Sequence, residues 1–419
     1  MKTIKDIVVH SRAHLEEFLI TYLFARFGKK AGYKIIKNFS FKENYIGAFG
    51  NCNRTLESWA DSGILPVGTL GGALDEHAQG SGNRKEEGSA VALASKILFK
   101  NKPLSGVRKI IEFSSDEDKK AGMGEYNLAY VVKIIQATEG MTNERLYKWL
   151  SFFFDAEHDI SWKRFRVEQN SNLIKGLFER YKTENPKVNM AKFRRFMTDR
   201  NDPAKLDNYN ISVVVNKLAA WGVPFEEIYP WVKLFFDAEM YRQDVLWPKT
   251  QSLAAKNLEM ITSSNGPKVA FFESDEEVAH MAARVVAKPD LVIIKRSSGH
   301  VQMFASSKGY GKPAIVMMDK VVRALRVAEG SKGSDAELVS ENFEGSPWYY
   351  HVIAQSVFNG SHSAPMVPTT ELSVEDIKSL VSSNIYYRPG QSKPESTFKV
   401  APAFKGVKVD KKGKIKKIS

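Results

Sequence analysis

One cysteine, Cys52, stands in 419 residues, and a single thiol excludes intramolecular disulfides and zinc sites built on several thiolates. That scarcity fits a reducing compartment. Long apolar runs are missing too: no stretch of 18 uncharged apolar residues occurs, and no basic amino-terminal region leads into an apolar one. Neither membrane spanning nor secretion is expected, and the expected location is cytoplasmic. Histidine is scarce, with eight in the chain. Acid is outnumbered by base, 48 Asp and Glu against 61 Lys and Arg, for a net charge of +13. The excess is uneven, because Lys405 to Ser419 holds seven lysines and one aspartate and so carries +6, leaving +7 for the body. This end, residues 401–419, reads as a basic, solvated, disordered tail, with non-specific phosphate contact as the other reading.

What remains is a chain rich enough in apolar residues, 43% hydrophobic and 11% aromatic, to bury two or three cores at this length. Residues 1–122 alternate apolar runs with helical patterns. Ile7 to Val9 and Ile64 to Val67 read as buried strands, and Leu15 to Phe27 and Glu86 to Phe99 as helices. Three of the eight histidines follow the two strands: His10 and His14, with Glu16 and Glu17, after the first, and His77, with Asp75 and Glu76, after the second. Open α/β sheets carry their chemistry at the carboxyl ends of strands. Mixed histidine and carboxylate suits Mn²⁺, Zn²⁺ or Fe²⁺ better than Ca²⁺. Asp75 is the strongest carboxylate candidate, since Gly71 and Gly72 allow a sharp exit from the strand. Glu17 is either a further ligand or a first-turn carboxylate favoured by the helix dipole.

Residues 123–262 read as a helical domain containing an internal repeat. The segment from Asn127 to Glu157 recurs as Asn210 to Glu239 at an offset of 82 or 83 residues. Each copy reads as two amphipathic helices that stack on the other copy, an arrangement that could also support oligomers. Phe152, Phe153, Phe154, Phe235 and Phe236 read as helical core rather than base-stacking groups. Asp155, Glu157 and His158 resemble an extra metal cluster, but Met240 replaces the histidine in the second copy, which favours a structural role. Residues 263–400 carry strand-like runs at Lys268 to Phe272, Leu291 to Lys295 and His300 to Phe304, with a helix over Asp275 to Val286, the texture of a smaller α/β or α+β domain. Asn359 to Ser363 reads as a polar surface loop.

His10, His14-Leu15-Glu16-Glu17 and Asp75-Glu76-His77 together resemble the motifs of the DHH phosphoesterase superfamily, in its Myg-type branch of metal-dependent hydrolases and exonucleases. Lys109 to Gly122, Pro289 to Phe304 and Trp348 to Pro368 extend the resemblance over most of the chain. It implies an α/β fold with a parallel-sheet DHH-like amino-terminal domain and a divalent metal, Mn most readily and Zn or Fe otherwise. His10, Glu16, Asp75 and Asp118 would bind it, with Asp116 as substitute for Asp118, and His77, Glu76 and His14 would serve as catalytic groups. A basic loop with Arg84 and Lys85, together with Lys295, Arg296 and His300, would meet a phosphate-containing substrate, nucleic acid among the candidates. Three departures stand out. The first histidine spacing is one residue short, Glu76 occupies a position the family fills with histidine, and Val67 to Leu70 offers no bridging carboxylate. The resulting expectation is a metal-dependent hydrolase of phosphoester bonds, as a nuclease or nucleotide phosphoesterase. Its alternative is a catalytically degenerate DHH-like scaffold that binds nucleic acid or protein.

Overall fold

Ile4, Ile7 and Val9 are fully buried in the first strand, β1 (Lys2–Val9). The chain then enters helix α1 (Leu15–Phe27) and returns in β2 (Tyr33–Glu43). After a short helix, α2 (Leu56–Asp61), it adds β3 (Ile64–Pro66), giving a three-stranded sheet of order β2-β1-β3 with both neighbours parallel to β1. Parallel neighbours cannot be joined by a tight hairpin. All three strands therefore point their carboxyl ends to one edge. The computed structural model describes residues 1–43, 54–69, 73–75, 88–100, 105–119, 127–162, 171–189, 209–307, 313–341, 343, 345–352, 354–360, 367–390, 407–409 and 415–417. They divide into two compact units, Met1–Met240 and Tyr241–Ser419.

In the first unit α1 is buried over every residue from Leu15 to Phe24, the pattern of a helix enclosed on all sides rather than one lying on a surface. The next helix, α3 (Ala90–Phe99), begins four residues later than the sequence suggests, because Gly88 takes φ +122° and Ser89 is the extended N-cap residue. It is followed by α4 (Ser105–Lys119), in which Gly106 allows a close crossing: a Cβ there would lie 2.6 Å from the His158 carbonyl oxygen. Among the described residues, helices α5 (Leu128–Gln136), α6 (Asn143–Trp162), α7 (Ser171–Glu184), α8 (Ile211–Ala220) and α9 (Phe225–Tyr241) follow.

The starts of α5 and α8 are built alike. Asn127 Oδ1 accepts from the Tyr130 amide and Asn210 Oδ1 from the Val213 amide, both at 3.0 Å, satisfying one otherwise unpaired N–H at each helix start. Trp149 and Trp231 stack with centroids 5.2 Å apart. Phe153, Phe154, Phe235 and Phe236 are buried, whereas Phe152 is exposed. One hydrophobic cluster runs from Ile4 to Phe236, so the helices and the parallel sheet share a core.

The second unit contains α10 (Trp247–Asn257), β4 (Glu259–Thr262), β5 (Lys268–Glu273), α11 (Ala279–Ala287), β6 (Leu291–Lys295), β7 (Val301–Ala305), β8 (Val316–Met317) and α12 (Asp319–Ala328). Its later elements are β9 (Tyr349–His351), β10 (Ser356–Asn359), α13 (Val374–Asn384) and β11 (Tyr386–Tyr387). Six strands form a sheet of order β4-β5-β6-β7-β10-β9, parallel between β5 and β6 and antiparallel elsewhere. Alternation along the strands feeds two cores: Val269, Phe271, Ile293 and Met303 enter one, Phe272, Val292 and Ile294 the other. The carboxyl-terminal segment expected to be disordered holds an antiparallel pairing of β12 (Val407–Val409) with β13 (Ile415–Lys417). Val407, Val409 and Ile415 are β-branched, a residue type that suits such pairing.

Candidate functional site

Two parallel strands bring the amino-terminal motifs to one edge. His10 directly follows β1, while the Val67 amide donates to the Val8 carbonyl at 2.9 Å and prolongs the pairing past β3. The Gly68 amide then donates to the Leu74 carbonyl at 2.7 Å, folding the chain back so that Asp75, which is buried, follows at once. Gly68 sits at φ +61°, and a Cβ built there would lie 3.2 Å from Glu17 Cγ. Only glycine combines that conformation with that clearance at little cost.

Glu17, on the first turn of α1, is the centre of the arrangement. One carboxylate oxygen lies 2.6 Å from His10 Nδ1 and 3.4 Å from the His10 amide nitrogen. The other accepts from the amide of His14 and so closes the start of the helix. The Glu17 side chain is 3% exposed, that of His10 26% and that of His14 60%. The carboxylate is therefore covered and the two imidazoles, 5.9 Å apart, reach outward. A carboxylate behind an imidazole is the usual support of a metal-binding histidine. Burial lowers the Arg12 guanidinium below its ordinary value in the same connection.

Other expected ligands have different surroundings. Glu16 is buried and its Oε1 accepts from the Val91 amide at 2.8 Å, satisfying an N–H in the first turn of α3 where Ser89 makes no side-chain cap. Asp118 lies in the last turn of α4, partly exposed, and Asp116 is exposed. Among the described residues no three His, Cys, Asp or Glu side chains gather closely enough to hold a metal ion. Glu76, His77, Arg84 and Lys85 lie outside the described residues, as does His362.

The cluster in α6 is divided among separate partners. Tyr22 donates to Asp155 at 2.9 Å, Tyr209 to Glu157 at 2.8 Å, and His158 Nδ1 is 2.9 Å from Asp159. Lys217 pairs with Glu157, and Tyr130 donates to Glu239 at 2.7 Å. These contacts tie helices together, the structural role that the comparison of Met240 with His158 suggests.

Arg296 and His300, expected to meet substrate, are both buried within the turn joining β6 to β7. Arg296 holds Gln302 Oε1 with two guanidinium nitrogens, at 3.2 and 2.8 Å. His300 has Ser298 Oγ 2.9 Å from Nδ1 and the Val367 carbonyl 2.8 Å from Nε2. Gly360 packs so tightly on that ring that a Cβ would lie 2.4 Å from it. These contacts hold the turn together from within. Lys295 is half-buried with Glu273 at 3.6 Å. Asn359 is likewise no surface residue: it is fully buried at the end of β10, donating to the carbonyls of Pro347 and Pro368 and accepting from the Thr370 amide.

Arg326 is completely buried. Its guanidinium donates to the carbonyls of Leu338, Ser340, Glu341 and Trp348, and burial pulls its pKa down to about 10. Nothing in the sequence around it signals this. Gly68 and Glu17 carried a better signal, standing after an apolar run and at the third residue of a helix.

No family model matches the chain and no curated protein is similar to it. Among solved structures, an uncharacterized protein from Helicobacter pylori G27 is similar over 73% of this chain and 86% of its own, at 12% identity and a TM-score of 0.22. The DHH domain of a member of a family of ribosomal proteins is similar over 84% of this chain and 82% of its own, at 13% identity and a TM-score of 0.31. Among the described residues no helix is long and apolar enough to cross a membrane. At TM-scores this low neither likeness bears on function, and the chain stands as a mixed α/β protein with a three-stranded parallel sheet at its amino terminus.

Proposed function

We propose that the chain is a metal-dependent hydrolase of phosphoester bonds, acting as a nuclease or nucleotide phosphoesterase. The observation that carries the reading is Glu17, which backs His10 and packs on Gly68 of the loop that leads to Asp75, at the shared carboxyl edge of β1 and β3. His10 and Asp75 would hold the cation, with Asp118, Glu76 and His77 as the further groups that the family resemblance implies. A bound Mn²⁺ or Zn²⁺ would supply hydroxide near neutral pH and polarise a phosphoryl oxygen. The chain's own contribution is positional. Glu17 orients the imidazole, Gly68 leaves room for that carboxylate, and Asp75 is buried in the loop that follows.

The deciding experiment is elemental analysis of untagged protein after incubation with Mn²⁺, on wild type and Asp75→Ala, paired with hydrolysis of a chromogenic phosphodiester. Stoichiometric metal and turnover, both lost in the variant while circular dichroism is unchanged, support the reading. Turnover that survives the substitution removes it.

A second reading is favoured by the Glu16 carboxylate, which serves the start of α3 rather than the centre. A catalytically degenerate scaffold of this kind would bind nucleic acid in a salt-sensitive manner without metal-dependent turnover.

A further inference from the structure

Among the described residues, α10 and α11 clothe one end of one face of the six-stranded sheet. Trp247 and Ala254 of α10 and Ala279, Ala282 and Ala283 of α11 pack with Phe272, Val292 and Ile294 of β5 and β6, and Phe304 of β7 lies at the margin of that core. Phe358 of β10 and Tyr349 of β9 continue the row on the same face, since Phe358 stands opposite both Gln302 and Tyr349 in the ladder. Ring centroids are 5.4 Å apart from Phe304 to Phe358 and 6.3 Å from Phe358 to Tyr349, and all three rings are half-buried. Met303, Tyr350 and Val357 turn the other way, into the second core.

Arg284 stands where the helix meets this aromatic strip. His280, one turn earlier on α11, stacks on Phe304 at 4.4 Å, and Arg284 Nη2 donates to the neighbouring Ala305 carbonyl at 2.7 Å. That carbonyl is the one acceptor the guanidinium meets among the described residues: its Nε is enclosed without a partner, and no carboxylate pairs with it. Burial pulls the group down from 12.5 to about 10, so it still carries its charge at neutral pH. Arg326, in the same unit, shows what a structural guanidinium looks like here, with the carbonyls of Leu338, Ser340, Glu341 and Trp348 around it. Arg284 has five N–H donors and one such partner, an arrangement that costs stability until an anion completes it.

We propose that this corner binds a small anion carrying a planar ring, an aryl phosphate or phosphonate in chemical class, with its oxygens on Arg284 and its ring along Phe304 and Phe358. A guanidinium and a phosphoryl group form charge-assisted hydrogen bonds, and aromatic rings associate in the tilted and offset arrangements already present in the strip. The site lies at the Ala305 end of β7, the end away from the turn that holds Arg296 and His300. It uses no residue of the His10 centre and does not depend on the reading of that centre.

The test is calorimetric titration of the full-length, metal-free protein with phenylphosphonate, with inorganic phosphate as the ligand without its ring, alongside melting curves of the ligand-free proteins. Wild type and His10→Ala should bind phenylphosphonate equally, and more tightly than inorganic phosphate. Arg284→Met should weaken binding by about 10- to 100-fold, and Phe358→Leu by about 3- to 10-fold. The melting curves separate a binding role from an architectural one. Removing an unpaired, half-covered charge should leave ligand-free Arg284→Met at least as stable as wild type. A midpoint that falls in this variant would make Arg284 a structural residue and overturn the inference. So would binding that survives in Arg284→Met, or no binding by wild type at millimolar phenylphosphonate. Inorganic phosphate binding as tightly as phenylphosphonate, with Phe358→Leu unchanged, would overturn the aromatic half of the site.

Discussion

At the scale of single residues, Glu17 and Gly68 define the centre more closely than the residues with the strongest sequence signal. Gly68→Ala forces a left-handed backbone on an L-residue and presses its Cβ toward Glu17. A loss of about 1–2 kcal/mol is expected from the backbone alone, read as a lower urea midpoint with an unchanged slope. An unchanged midpoint would mean that the loop yields freely and that the clearance has no consequence. The choice between Glu16 and Glu17 was not legible in the chain. Adjacent helical positions differ by about 100° in direction, and only tertiary packing decides that Glu16 faces the start of α3 while Glu17 faces the end of β1. His300 and Arg296 illustrate the converse. Polar residues between two strand-like runs suggest a surface, and only a closed turn with internal acceptors makes their burial tolerable.

At the scale of elements, periodicity was a good guide. Leu15 to Phe27 forms a helix with those same ends because apolar residues run through it and both glutamates lie in its first turn. The later start of α3 was hidden in Gly88, whose φ no periodic pattern reports. The short pairing of β8 with β11 had no sequence signal, being two residues long. It carries a pH dependence nevertheless. Tyr386 donates to Asp319 at 2.7 Å and Tyr387 to Asp290 at 2.9 Å; burial first, then the carboxylate partners, push both phenols from 10.0 up to about 12. Because the folded values are raised, the unfolded chain loses these protons first. The stabilisation is complete below pH 10 and is lost as pH rises toward 12. Thermal melts should fall across that window, and the Tyr386→Phe, Tyr387→Phe double variant should fall less. Equal slopes for the two proteins would show that other groups govern alkaline unfolding.

At the scale of the whole molecule, the mixed α/β character was legible from the alternation of strand-like and helical runs. The sharing of one core by the parallel sheet and the helices was not. Contacts such as Tyr22 with Asp155 span 133 residues of sequence, and no local window reports them. Charge is the other property that belongs to the entire chain. Of the +13 total, +6 lies between Lys405 and Ser419. Removing those residues should reduce the slope of log affinity against log salt for duplex DNA by up to about 6 if all seven lysines meet phosphates. An unaltered slope would show that the terminal lysines do not touch nucleic acid.

Glu17 closes a helix with one oxygen and holds an imidazole with the other. Closing the helix and holding the ring thus draw on one carboxylate, and its replacement would disturb both. Retention of this glutamate in a relative would therefore follow from the start of the helix alone. Replacing His10, whose imidazole is partly exposed, would leave the contact of Glu17 with the His14 amide in place.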